Sequence, residues 1–337
     1  MSWWRVDADM WAGSRFVISP LAETLAALKT LQLGRAAHMG EAEWLAACRP
    51  GYLTLLAGDP VTAALVRAAL RPRWNATFLT PTPLGDAEHG FTDELARIRR
   101  TPSTAARADL EESLNGPLPV SLRRDDLPRR AADLLEWVWT TAVEPSWPQR
   151  LRIMEADILA RAARLGQHGW AAVLEEMRPA MRWLGEDRLR TTAGDGPPLE
   201  TSGGQLMFVP VTPSQSWLCW DVPLAGTPRP PASPRCAVIY PCSGVLVDRG
   251  LRAAPDALAA LLGPARAHLL MLLATPKSTT QLVSLAGLPL GSVGRHLRIL
   301  RESRLAQRRR AGRSVLYVRT ATGNALVEAQ GAEAPAF

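Results

Sequence analysis

The sequence predicts a mainly α fold of the α+β kind. An N-terminal helical domain with a small β region is expected to precede a C-terminal segment of short helices closed by a β-hairpin. Three observations carry this reading. Apolar residues recur at three- and four-residue spacing through most of residues 20–184. Short β-like runs replace that spacing between residues 206 and 240. From Pro264 to Arg319 a basic segment holds eleven Arg and Lys against one acid, Glu302, so its local charge of about +10 exceeds the +7 of the whole chain.

The elements follow in order. Residues 3–18 alternate through Trp4, Val6, Trp11, Phe16 and Ile18, which suggests an early strand or hairpin. Ser19-Pro20 has the form of a helix cap and first helical residue, and Leu21, Leu25, Leu28 and Leu31 then share one face. Further helices are expected at 41–48, 60–70, 92–100, 103–114, 126–142, 149–165 and 168–184, separated by Pro and Gly. Residues 191–204 read as a loop. The runs 206–211, 216–222 and 236–240 read as strands, and the five prolines of 223–234 make that stretch an exposed connection. The expected organisation is therefore 1–190 helical, 191–254 a β-like and Pro-rich connecting region, 255–330 the basic domain, and 331–337 a tail.

Composition narrows the function classes. An apolar content of 47% and a mean hydropathy of −0.04 suit a globular protein with a sizeable core. No apolar run approaches the roughly 18 residues of a membrane span, and the first residues lack an export signal. Cys48, Cys219, Cys236 and Cys242 are too few and too irregular for a disulfide framework or zinc knuckle, so a cytoplasmic protein with reduced thiols is expected. There is no Gly-rich phosphate loop, no His-Glu metal pair and no Gly-x-Ser-x-Gly elbow. His38, His89, His168 and His268 have no ligand-like spacing. Neither an enzyme nor a cofactor or metal site is expected. The twelve tryptophans all lie at or before Trp220; they suit core or dimer packing, with an aromatic-walled effector pocket as the sharper alternative.

The basic segment carries the chemistry. An apolar helix at 264–274 stops before Pro276. Ser278 and Gln281 form a capping box for a helix at 279–286, where Leu282, Leu285 and Ala286 face a core and Gly287 ends it. After a short turn a second helix, 290–303, places Leu290, Val293, Leu297 and Leu300 on one stripe. Gly291, Ser292, Arg295 and Arg298 lie opposite. Two short helices with a tight turn make a helix-turn-helix, whose second member presents its N-terminal residues to the major groove. The fork of Arg295 suits guanine. Two strands, 305–309 and 314–319, joined through a tip at Arg310-Ala311-Gly312-Arg313, then form a basic wing suited to phosphates or a narrow minor groove. A short helix closes the domain at 320–329. Candidate DNA contacts are Ser278, Thr279 and Thr280 on the first helix and Gly291, Ser292, Arg295, His296 and Arg298 on the second. Arg309, Arg310 and Arg313 complete them on the wing.

The string Ser292-Val-Gly-Arg-His-Leu-Arg-Ile-Leu-Arg-Glu, followed by Arg309-Arg-Ala-Gly-Arg-Ser-Val-Leu-Tyr, resembles the ArsR-type winged helix-turn-helix of prokaryotic transcriptional regulators across residues 255–327. The part from Ser19-Pro-Leu-Ala-Glu to Val238-Ile-Tyr-Pro resembles an uncharacterised domain often found before such winged helices. The resemblance implies a DNA-binding transcriptional regulator, a homodimer on double-stranded DNA, with the upstream domain supplying dimer surface or a small-molecule effector pocket; the alternatives are a protein-interaction module or an enzyme with an accessory winged helix. The chain departs from the family at Leu288-Pro289, where a Ser or Thr cap is common, and at Gly294. The first helix, Thr280-Gln-Leu-Val-Ser-Leu, lacks the thiol pair of the family's metal sensors, and the closing helix offers only Glu328. A metal sensor of the known kinds is therefore not expected.

Overall fold

The computed structural model describes residues 3–37, 39–72, 74–85, 90–178, 180–191, 199–200, 204–221, 235–242, 256–274, 276–286, 288–311 and 314–329. Gly287, Arg313, His38, His89, the proline-rich connection at 223–234, most of the loop at 191–204 and the 331–337 tail lie outside the described residues. The chain divides into two compact units. The first comprises Met1–Trp147 and Arg161–Cys242, the second Pro148–Ala160 and Ser243–Phe337.

The first unit opens with β1 (Trp3–Arg5), α1 (Ala8–Ala12) and β2 (Arg15–Phe16). These do not form the expected hairpin. β1 pairs instead with strands near residues 190 and 199, and β2 with a strand at 207. Asp7 caps the intervening α1 by accepting from Met10 N at 2.9 Å, which breaks the alternation that a hairpin needs. Six helices follow: α2 (Pro20–Leu33), α3 (Met39–Gly58), α4 (Pro60–Ala69), α5 (Phe91–Arg99), α6 (Ser103–Leu114) and α7 (Leu127–Val138). Ser19 caps α2 as the sequence suggests, accepting from Ala22 N at 3.0 Å. α3 runs through Pro50, beyond the expected stop at 48. Buried Leu45 and Tyr52 anchor it on either side of the proline. α7 continues into a π turn, Trp139–Val143, which brings Trp139 onto Phe91 at 4.6 Å and 11°.

α8 (Trp147–Met177) spans the two helices expected at 149–165 and 168–184, which a kink separates. Its break falls at Gly169, at φ +72°, and Trp170 just beyond it stacks on Phe208 at 4.8 Å. Residues 182–184 are not helical. β3 (Arg182–Trp183) and β4 (Arg188–Arg190) form a hairpin whose turn holds Gly185, Glu186 and Asp187 at positive φ. Glycine takes that left-handed backbone without strain, and the pairing of Arg182 and Trp183 with Arg190 and Leu189 replaces the helical conformation expected there.

Two sheets complete the unit. β5 (Leu199–Glu200) joins a sheet ordered β3-β4-β1-β5. β6 (Gln205–Val211), β7 (Trp217–Trp220) and β8 (Arg235–Pro241) join β2 in a sheet ordered β2-β6-β8-β7, with β6 parallel to both β2 and β8. The stretch expected as a connecting region thus supplies most of a central sheet. Met207, Val209 and Val211 face the helical core with Leu25, Leu28 and Leu135. Leu206, Phe208 and Tyr240 face a second core with Trp4, Met10 and Leu174. A strand buried on both faces must read as an unbroken apolar run, as β6 does. Buried carboxylates pin this unit. Glu23 accepts from Thr212 N at 2.8 Å and Glu94 from Leu21 N at 3.1 Å. Burial pushes the Glu94 carboxyl above its usual range against the pull of its Ser19 hydrogen bond.

In the second unit, α9 (Asp256–Leu262) and α10 (Pro264–Leu272) lead to β9 (Lys277–Ser278), α11 (Thr279–Ala286), α12 (Leu290–Glu302), β10 (Ala306–Ala311), β11 (Ser314–Arg319) and α13 (Ala321–Glu328). The sheet order is β10-β11-β9, antiparallel throughout. Leu269, Leu270, Leu282, Leu285, Val293, Leu297, Leu300 and Leu305 are buried. Thr320 caps α13 by accepting from Gly323 N at 3.1 Å while donating to Arg304 O at 2.6 Å.

Candidate nucleic-acid interface

The site is built on two helix starts and a ribbon. Ser278 and Gln281 make the expected reciprocal cap: Ser278 N donates to Gln281 Oε1 at 2.9 Å and Gln281 N to Ser278 Oγ at 3.2 Å. The Ser278 hydroxyl is thus committed to local structure, and its backbone pairs with Leu316. Thr279 is half-buried beside it, and Thr280 is exposed. A polar ligand approaching α11 meets Thr280 first.

α12 begins without a side-chain cap. Pro289 at the N-cap has no suitable group, although its carbonyl accepts from Ser292 N and Val293 N at 2.9 and 3.0 Å. Several N–H groups of the first turn therefore lack an intrahelical partner at the positive end of the helix dipole, an arrangement that favours an approaching phosphate. Val293, Leu297 and Leu300 are buried as the stripe requires. Each such burial stabilises the unit by about 1.5–3 kcal/mol. Leu290 does not join them. It is 62% exposed. Helical side chains lean toward the N-terminus, so the first residue of the stripe overhangs the end of the packed surface. Ile299, which the projection places off the stripe, is half-buried.

The outer face holds Gly291, Gly294, Arg295 and Arg298, all exposed, with Ser292 half-buried among them. No ion pair is recorded for Arg295 among the described residues. Arg298 meets Glu302 at 3.9 Å, but both side chains are about 65% exposed, so the pair is worth a few tenths of a kcal/mol and yields readily to a phosphate. His296 is half-buried, with Nε2 3.3 Å from Ser292 Oγ. Burial holds its pKa below the usual value, and the charges of Arg266 and Arg295 lower it further, so the ring is neutral at physiological pH. A neutral ring paired with Ser292 serves to orient that hydroxyl.

β10 and β11 pair from Ala306↔Arg319 to Ala311↔Ser314, with Arg309 opposite Leu316 and Arg310 opposite Val315. Arg310 and Ala311 therefore belong to the strand, not to the tip as expected, and the register leaves only positions 312 and 313 between the strands. Arg308, Arg309 and Arg310 are all exposed. Alternation sends Arg309 to one face of the ribbon and Arg308 and Arg310 to the other. Arg313 lies outside the described residues. Sequence reasoning passed over Leu290 as a surface residue and Arg301, which is exposed in the last turn of α12. Position alone was a signal for both, since helix ends overhang what they pack on.

Among the described residues there is no group of three His, Cys, Asp or Glu side chains able to hold a metal ion. Nor is there a helix long and apolar enough to cross a membrane. Comparison with protein-family models, with curated proteins and with solved structures finds no match for this chain.

Proposed function

We propose that residues 256–329 form a winged helix-turn-helix of the ArsR type and that the protein regulates transcription by binding double-stranded DNA. In this reading α12 enters the major groove and the β10–β11 ribbon holds the flanking backbone or minor groove. One observation carries it: the outer face of α12 and the ribbon expose Arg295, Arg298, Arg308, Arg309 and Arg310 in one unit, with Glu302 the single acid between Pro264 and Arg319. Such a field draws phosphates through counterion release. The helix, turn, helix and ribbon order supports the same reading, as does the uncapped start of α12.

A homodimer follows from the same reading, with half-sites about 34–36 Å apart on the duplex. The role is regulatory and non-enzymatic, it needs no metal, and it belongs in the cytoplasm. The test is binding of the full chain to duplexes from its own upstream region. Arg295→Ala should weaken the preferred site by about 1–3 kcal/mol and relax base choice. Arg310→Ala should weaken all sequences alike and reduce the salt slope by about 1. If both variants bind like the parent at moderate salt, the assignment fails.

A further inference from the structure

The first turn of α12 puts an apolar corner on a cationic face. Leu290 is 62% exposed, although its three companions in the apolar stripe, Val293, Leu297 and Leu300, are each 1% exposed or less. Pro289 before it is exposed as well, at a position where Ser, Thr, Asp or Asn would ordinarily cap the helix. Single exposed leucines are common on proteins, so exposure by itself decides nothing. The surroundings do. On a helix the side-chain neighbours of residue i are i+3 and i+4. For Leu290 these are Val293, which is buried, and Gly294, which has no side chain. A Cβ built on Gly294 would meet nothing within 4 Å, and one on Gly291 likewise. Leu290 therefore stands beside an open notch about 6 Å long by the helical rise. Arg298, exposed, lies one turn beyond the glycine.

Charge says what covers this corner. Arg295 and Arg298 are exposed on the same helix, and Glu302 is the single acid between Pro264 and Arg319. Such surroundings favour a polyanion over a neutral apolar surface. One leucine and one proline also fall far short of the roughly 1,200 Å² that a stable protein contact buries. Within a DNA major groove a leucine finds one apolar feature on the base edges, the C5 methyl of thymine. The other groups there are hydrogen-bond donors and acceptors, to which leucine offers no partner. Pressing it onto those groups would strip their water without replacement, so the corner selects against the wrong base as well as for the right one.

We propose that Leu290 is a specificity-determining residue that reads a thymine methyl. The methyl would seat between the Leu290 side chain and the bare backbone of Gly294, with Arg298 on a nearby phosphate. The inference rests on the DNA-binding reading above and adds to it one base feature and the residue that selects it. It also gives Gly294 a use, since a side chain at that position would fill the space the methyl needs.

The experiment uses the full chain and the duplex it protects in its own upstream region, with each thymine of the protected half-sites replaced in turn by deoxyuridine. Uracil keeps every hydrogen-bonding group of thymine and lacks only the methyl. Burying one such group is worth about a fourfold change in affinity. One replacement in each half-site should therefore weaken the parent about fourfold while leaving the salt slope unchanged. Leu290→Ala should bind the thymine and uracil duplexes alike, and Leu290→Met, which restores apolar reach, should regain the difference. Gly294→Ala should weaken the thymine duplex more than the uracil one. The parent's own response needs no variant, so misfolding of any of them leaves the test standing. The proposal is overturned, with DNA binding intact, if no single replacement weakens the parent or if Leu290→Ala keeps the parent's preference for thymine. Absence of any protected, salt-sensitive duplex would instead sink the DNA-binding reading, and this inference with it.

Discussion

Gly323 and Gly294 both occupy helices of the second unit, yet the same substitution should move them in opposite directions. A Cβ on Gly323 would stand 2.2 Å from the carbonyl oxygen of Leu305 and 3.2 Å from its carbon. The first distance is about an ångström inside ordinary contact, and both clashing atoms are backbone, so no side chain can turn aside. Relief requires α13 to move off the α12–β10 junction. That motion strains the hydrogen bond from Thr320 N to the same Leu305 oxygen at 3.0 Å and the one from Thr320 Oγ1 to Arg304 O at 2.6 Å. Overpacking costs about 1–3 kcal/mol and two weakened hydrogen bonds about 1 kcal/mol each. Replacing a helical glycine by alanine returns about 1 kcal/mol. Gly323→Ala should therefore destabilise the unit by about 2–4 kcal/mol. At Gly294 a Cβ meets nothing within 4 Å, so Gly294→Ala keeps only the helix term and should stabilise by about 0.5–1 kcal/mol. Tryptophan fluorescence is blind to this unit because every tryptophan belongs to the first. Amide hydrogen exchange of peptides covering 290–328 is the suitable readout. Protection that is unchanged or increased in Gly323→Ala would refute the reasoning.

Other outcomes follow from single residues. Leu297→Ala should cost about 2–5 kcal/mol because its side chain is 1% exposed, whereas Leu290→Ala should cost under about 0.5 kcal/mol; urea unfolding monitored by circular dichroism separates them. Arg304 holds φ +57° just after α12, so Arg304→Gly should stabilise by about 1 kcal/mol in the same assay. Lys29 supplies a pH dependence. Its folded pKa of about 8 lies below the ordinary 10.5, so between those values the unfolded chain binds the extra proton and stability rises with pH. Relative to Lys29→Met, the parent should gain at most about 3 kcal/mol from pH 8 to 10.5, and the two curves should run parallel below pH 8. Denaturation midpoints of both proteins across that window check the sign.

Local signals were legible in the sequence and distant pairings were not. The helix at 103–114, the Ser19 and Ser278 caps and the three apolar runs at 206–240 all depend on neighbours within a few residues, and the structure places them as read. β1 and β2 find partners nearly two hundred residues away, Trp3 opposite Arg190 and Arg15 opposite Met207, and nothing in a local pattern announces that. The helix expected at 168–184 stops at Met177 for a related reason: Arg182 and Trp183 pair with a strand at 188–190 that local spacing does not announce. On the candidate interface, Val293, Leu297 and Leu300 followed from periodicity, while Leu290 escaped because periodicity cannot tell where the covering surface ends.

The most direct test is a titration of the full chain against duplex from its own upstream region, repeated from 50 to 200 mM salt and paired with a footprint. The expected result is two protected half-sites one helical turn apart and a log–log salt slope steeper than about −4. That slope should become shallower by about 1 when Arg310 is replaced by alanine. Affinity that is indifferent to salt, or protection unchanged by the loss of both Arg295 and Arg310, would contradict the proposed seating of α12 in DNA.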